Sequence, residues 1–230
     1  MQDETIELLG IDNLKLIQSR SLFKYGTDAV LLSSFAKVKK GGSVLDLCTG
    51  TGIIPLLIYA NNKTCSFDAL EISEKAADMA KRSMQLNMLE DKIIITIGDV
   101  KEASQLYKGR QFDLVTCNPP YMNWGGGLVN PDNDKAIARH EILCTLEDII
   151  KNAAHLTRPG GTFAMVHRPR RLADIMCLMR EYKLEPKRLV LVSDTPDKEP
   201  DMILIEGLRG GGHYLKTYNM FLKKNTEDKI

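Results

Sequence analysis

Short apolar runs recur along the chain from Ser43 onward, and the early ones are separated by stretches with helical spacing. The runs are Val44-Leu45-Asp46-Leu47, Phe67 to Glu71, Ile93 to Ile97, Phe112 to Cys117, Thr162 to Val166, Leu189 to Val192 and Met202 to Ile205. Runs of this length bounded by polar segments predict strands, and helices between them predict a largely parallel sheet covered on both faces, the α/β class. One crossover helix is predicted from Ser73, which can cap it. Glu74 falls in its first turn, and Ala77, Ala80, Met84 and Met88 recur at helical steps as a core stripe. Between the last two runs lies a polar stretch with Pro196 and Pro200 and no helical period, which predicts an antiparallel pair closing one edge, seven strands in all. Residues 223–230 read as a solvated, flexible tail.

Composition narrows the class without naming a function. The chain has 230 residues, 43% hydrophobic and 27% charged, and its net charge of +1 supplies no overall field for a polyanion. RNA binding would therefore need a local basic patch. Five scattered cysteines without a Cys-x-x-Cys pair fit reduced thiols and a cytoplasmic protein better than a disulfide framework or zinc site. His140 and Cys144 sit at helical spacing but lack further ligands, so no metal is expected. The acidic opening is followed by no long apolar run, and no membrane span is expected.

The first strand ends in Asp46-Leu47-Cys48-Thr49-Gly50-Thr51-Gly52, with Pro55 in the helix that follows. Glycines at such a turn let a ligand approach the backbone, and proline suits a first helical turn. Glu71 ends the next strand about twenty residues on, where a carboxylate commonly accepts from ribose hydroxyls. Asp99, after the third strand, can accept from an adenine amino group. Glycine turn, Glu71 and Asp99 on successive strand ends point to an adenosine cofactor. The dinucleotide fingerprint wants glycine where Cys48 stands, and Asp46 before the turn would repel a pyrophosphate while suiting the cationic end of S-adenosylmethionine.

After the fourth run come Asn118, Pro119, Pro120 and Tyr121. Two prolines fix the backbone and contribute carbonyls without N–H groups, so the turn offers acceptors on a stiff frame beside an aromatic ring. That arrangement suits a planar amine or amide that must give up its nitrogen lone pair.

These residues resemble the class I S-adenosylmethionine-dependent methyltransferases, and more narrowly the bacterial N6-adenine methyltransferases acting on a valine tRNA. The resemblance runs from about Leu14 to Gly212 and includes Leu14 to Ser19, Phe23-Lys24-Tyr25-Gly26-Thr27-Asp28-Ala29, Ala138-Arg139-His140-Glu141-Ile142 and His167-Arg168-Pro169-Arg170-Arg171. It implies a Rossmann-like domain over residues 43–222, with residues 1–42 packing over the cofactor. Its implied cofactor contacts are Thr27, Asp28, Asp46, Cys48, Gly50, Gly52, Glu71, Asp99, Val100 and Asn118. Cys48 departs from the glycine common at its position.

The expected reaction is methyl transfer to an exocyclic amine, most concretely adenine N6 in tRNA. Asn118 and Pro119 would accept the amine's N–H bonds, Pro120 would stiffen the turn, and Tyr121 would stack on the base. Trp124, Arg139, Arg168, Arg170 and Arg171 are candidate RNA contacts. The Asn-Pro-Pro-Tyr motif is shared with enzymes that methylate protein glutamine, which is one alternative. An NAD-dependent oxidoreductase and a non-catalytic RNA-binding module are others. The first of these lacks a separate helical recognition domain here, the second its fingerprint, and the third has no need of the clamp. Oligomeric state is not fixed by the sequence, with a monomer favoured.

Overall fold

Consecutive residues of the central strands enter opposite cores, and this alternation builds a three-layer molecule. The computed structural model describes residues 3–19, 25–119 and 144–223. On β3 (Ser43–Leu47), Val44 faces a core shared with α1 (Thr27–Phe35) and α2 (Ile53–Asn61), whereas Leu45 and Leu47 face the other core. β4 (Ser66–Glu71), β5 (Ile93–Ile97) and β6 (Phe112–Cys117) pair in parallel around β3, joined through α3 (Glu74–Leu86) and α4 (Ala103–Leu106). α5 (Leu146–Leu156) and α6 (Leu172–Glu181) cover the second face. β7 (Thr157–His167) lies parallel to β6, and β9 (Met202–Arg209) runs antiparallel between β7 and β8 (Leu184–Ser193).

The α/β class with a mostly parallel sheet is the architecture the spacing predicts, but two details differ. Among the described residues the sheet has eight strands in the order β10-β8-β9-β7-β6-β3-β4-β5. The antiparallel β8–β9 pair does not close the edge, because β10 (Lys216–Phe221) lies outside it, parallel to β8. Nothing in its composition announces that strand, since all six of its residues are exposed and a strand with no buried face leaves no period to read. A separate antiparallel hairpin, β1 (Glu4–Leu8) with β2 (Lys15–Ser19), precedes the sheet. It docks on α3, where Ser83 Oγ accepts from Ile17 N–H at 2.9 Å, and Arg82 grips both oxygens of Glu4 at 2.8 Å.

Ser73 caps α3 as its position predicts, accepting from Ala76 N–H at 3.3 Å, and Ala77, Ala80 and Met84 are buried. Met88 is not part of that stripe. The helix ends at Leu86, and Met88 sits at φ 56° in the following turn, 86% exposed.

Across the rear of the sheet, Arg110 forms a two-pronged pair with the buried carboxylate of Asp68, at 2.7 and 2.5 Å, and lies over the rings of Tyr107 and Phe112. Removing the guanidinium strands a charge inside β4. Arg110 is half exposed, so water screens part of that loss. Arg110→Ala should lower unfolding free energy in urea by about 2 kcal/mol; a loss under about 0.5 kcal/mol would show the pair to be ornamental to stability.

Candidate functional site

The C-terminal ends of β3, β4, β5 and β6 converge on one edge, the place where parallel α/β sheets bind ligands. The turn leaving β3 reaches that edge through three left-handed residues, with φ of 58° at Cys48, 59° at Gly50 and 84° at Gly52. Cys48 therefore adopts a conformation that glycine takes without strain. At Gly50 an added Cβ would meet nothing within 4 Å among the described residues. At Gly52 it would strike Met84 Cε at 2.7 Å, so this glycine serves the close approach of α3.

Glu71 fastens the turn. One of its oxygens accepts from Gly50 N–H and the other from Ser73 N–H, both at 2.8 Å. Each carboxylate oxygen retains acceptor capacity for a ligand hydroxyl. Asp99 accepts from Lys101 N–H at 2.9 Å and caps the short 3-10 turn Val100–Glu102, with Lys101 Nζ 3.4 Å from its second oxygen. Val100 is buried beside it.

Asp46 lies beneath the turn rather than in the crevice. It is wholly shielded from solvent, with Oδ1 accepting from the Thr116 hydroxyl at 2.6 Å and Oδ2 without a hydrogen-bond partner among the described residues. Burial, with a smaller push from the Glu71 charge, raises its carboxyl to about 7 against the pull of the Thr116 and Thr49 hydroxyls. Thr116 is a part of the site that the sequence did not announce; its signal was its place two residues before Asn118, on the same face of β6. A buried acid short of one partner fits a cationic group held just above it, where its field would act through the turn.

Asn118 follows β6, and its Nδ2 donates to Asp28 Oδ2 at 3.1 Å. Asp28, near the start of α1, is buried and also accepts from its neighbour Ala29 N–H at 2.9 Å. Gly26 makes room for it, since a Cβ there would come within 2.9 Å of Asp28 Oδ1. With the amide nitrogen committed to Asp28, Asn118 presents its oxygen elsewhere. Pro119 is buried beside it. Thr27 opens α1 and is exposed. Pro120, Tyr121, Trp124, Arg139 and His140 lie outside the described residues.

The Cys117 thiol, just before Asn118, is pushed up by burial and by the neighbouring Cys48, so it offers no reactive thiolate. The arginine cluster flanks the end of β7. Arg168 donates to the Asp201 carbonyl at 2.9 Å, Arg171 pairs with Asp174 at 2.8 Å, and Arg170 is exposed. His167 accepts from Arg168 N–H through Nδ1, and burial, reinforced by Arg171, brings it down to about 4, leaving it neutral. Among the described residues no helix is long and apolar enough to cross a membrane, and no group of three His, Cys, Asp or Glu side chains is placed to hold a metal.

The fold is that of class I methyltransferases. A predicted O-methyltransferase from Agrobacterium tumefaciens superposes with a TM-score of 0.71 at 20% identity, covering 87% of this chain and 90% of that one. The T. thermophilus 16S rRNA N2 G1207 methyltransferase in complex with AdoMet and guanosine superposes at 0.61, with 19% identity over 90% of this chain and 51% of its own. The methyltransferase small domain model matches residues 11–181, and the chain belongs to that family. It is an S-adenosylmethionine-dependent methyltransferase, which sets aside hydride transfer and a purely binding role. Two curated relatives are named tRNA1(Val) (adenine(37)-N6)-methyltransferase. The Porphyromonas gingivalis protein is 32% identical over 87% of this chain and 80% of its own length. That of Bacteroides thetaiotaomicron is 34% identical over 79% and 75%.

Because its folded-state value lies above the ordinary carboxylate range, ionising Asp46 costs the folded state. That cost is absent below about pH 4, grows as pH rises toward 7, and is complete above it. Asp46→Asn keeps an acceptor for Thr116 and removes the charge. Its unfolding free energy relative to the native protein should therefore rise between pH 5 and pH 8 by on the order of 2–3 kcal/mol. A difference flat in pH, measured by urea titration, would mean that Asp46 ionises in the folded protein at its ordinary value.

Proposed function

We propose that the chain methylates N6 of an adenine in tRNA, the position its relatives' names give as adenine 37 of a valine tRNA being the first candidate. The observation that carries this reading is the hydrogen bond from Asn118 to Asp28, because it leaves the amide oxygen of Asn118 as the end available to an incoming amine. The adenine amino group is a weak nucleophile, its lone pair delocalised into the ring. Asn118 Oδ1 and the Pro119 carbonyl accept its two N–H bonds, which favours pyramidal nitrogen and turns the lone pair outward. Tyr121 stacks on the base, contributing on the order of 1–3 kcal/mol once the base has left its own stack. S-adenosylmethionine supplies the electrophilic methyl group when bound.

Around that cofactor the chain's residues divide the work of holding. Gly50 and Gly52, with Cys48, shape the backbone beneath it, and Glu71 offers its remaining acceptor sites to ribose hydroxyls. Asp99 and Val100 flank the adenine end. Asp46 biases the site toward a cation from below, and Thr27 with Asp28 closes the crevice from α1. Residues 1–42, through α1 and the hairpin on α3, form the cover over this region, the sheet domain spans residues 43–222, and the tail follows. Trp124, Arg139, Arg168, Arg170 and Arg171 are assigned to the RNA. An enzyme acting on tRNA belongs in the cytoplasm.

Incubation with labelled S-adenosylmethionine and, separately, bulk tRNA, rRNA and protein extract should place label in N6-methyladenosine of tRNA. Label in protein alone would favour glutamine methylation instead. Asn118→Ala should leave cofactor affinity by calorimetry within about threefold while turnover falls roughly a hundredfold or more. Loss of cofactor affinity in step with turnover would remove Asn118 from the acceptor clamp.

A further inference from the structure

Asp28 stands where the pattern of α1 calls for an apolar side chain. The buried residues of that helix are Asp28, Ala29, Leu32 and Phe35, spaced as one face, and the other three pack into the core beneath it. A carboxylate on such a face is costly unless its oxygens are hydrogen-bonded. Oδ1 stays with its own helix and accepts from Ala29 N–H at 2.9 Å, whereas Oδ2 accepts from Asn118 Nδ2 at 3.1 Å, ninety positions along the chain. An acid in a first helical turn is favoured there without any bond to another strand. The second bond has a different use.

That use is chemical. An amide has a donor end and an acceptor end, and Asn118, held by its nitrogen, turns only oxygen toward a ligand. Pro119, the next residue, adds a carbonyl and no N–H. Both groups following β6 are then acceptors. An exocyclic amine or a primary amide answers them with two N–H bonds, but a ring carbonyl in the same place would set oxygen against oxygen.

We propose that Asp28 is a positioning residue that fixes the polarity of Asn118 and so makes the site select an N–H donor and reject a carbonyl. This rests on the reading of Asn118 as the acceptor clamp. Asp28 acts through the amide it holds, not by touching the base or the methyl group.

The test uses the whole protein. Asp28→Asn keeps the size of the side chain but lets either of its ends face Asn118, so the clamp loses its fixed sense. Its kcat on tRNA should fall about tenfold or more, with KM and cofactor affinity by calorimetry within about threefold of native. In an Asn118→Ala background the same change should cost less than about twofold, because the group it acts through is gone. A mere anchor would not alter the choice of base. Valine tRNA with hypoxanthine at position 37, the position in the relatives' names, should therefore compete at least about tenfold more weakly than the adenine form for the native protein, and within about threefold of it for Asp28→Asn. An Asp28→Asn protein that keeps native turnover, or that rejects hypoxanthine as strongly as the native protein does, overturns the proposal. So does a full loss added on top of Asn118→Ala. If the native protein labels glutamine in protein and no tRNA, the adenine reading fails by itself. The Asn118 cycle run on that acceptor then supports or overturns the role of Asp28, since a primary amide is an N–H donor as well.

Discussion

Glu71 is the side chain on which the geometry of this edge depends. Its two oxygens take the N–H groups of Gly50 and Ser73, so one carboxylate at the end of β4 ties the turn after β3 to the entry of α3. Left-handed residues at Cys48, Gly50 and Gly52 turn the backbone sharply, and the Gly50 N–H points at that anion while those of Thr49 and Gly52 bond the carbonyls of Leu70 and Thr49. Without the carboxylate the Gly50 amide would lose its partner. The same group that stiffens the turn retains acceptor capacity on both oxygens.

The second constraint is the order of the strands. β3 pairs with β4 on one side and β6 on the other, so the glycine turn, Glu71 and Asn118 come from three adjacent strand ends although about seventy residues separate the first from the last. The alternation of faces then sorts chemistry from packing. Leu47 and Cys117 face one core, while Asp46 and Thr116 meet on the other face at 2.6 Å. Asp28 arrives at this second face from α1 and meets Asn118 there.

Much of this was readable before any coordinates. Parallel strands buried on both sides are continuous apolar runs, and Val44 to Leu47 or Phe112 to Cys117 stand out for that reason. The glycine turn and the Asn-Pro-Pro stretch are legible because each residue type answers a local backbone demand. β10 was not, since an exposed edge strand of lysine, threonine, tyrosine and asparagine has no buried half to impose a period. Met88 was misplaced because helical spacing continues past Leu86 in the sequence while the chain itself turns at φ 56°. Asp46 was legible as an acid preceding the turn but not as a group without solvent contact, because burial of a strand-end carboxylate depends on the tertiary packing around it.

The pairing of Asp28 with Asn118 is a case where sequence motif and chemical role part company. An asparagine amide can turn either end toward a ligand, and only an oxygen serves an amine. Nothing within Asn-Pro-Pro-Tyr chooses between those two orientations. The choice comes from a carboxylate ninety positions earlier in the chain, delivered by α1, and Gly26 is small because that carboxylate occupies the space a side chain would need. A carboxylate accepts and does not donate, so it can hold only the nitrogen end. The segment before the sheet therefore sets which end of the Asn118 amide is held and which is left for another partner, and Gly26 and Asp28 act on that orientation from ninety positions away.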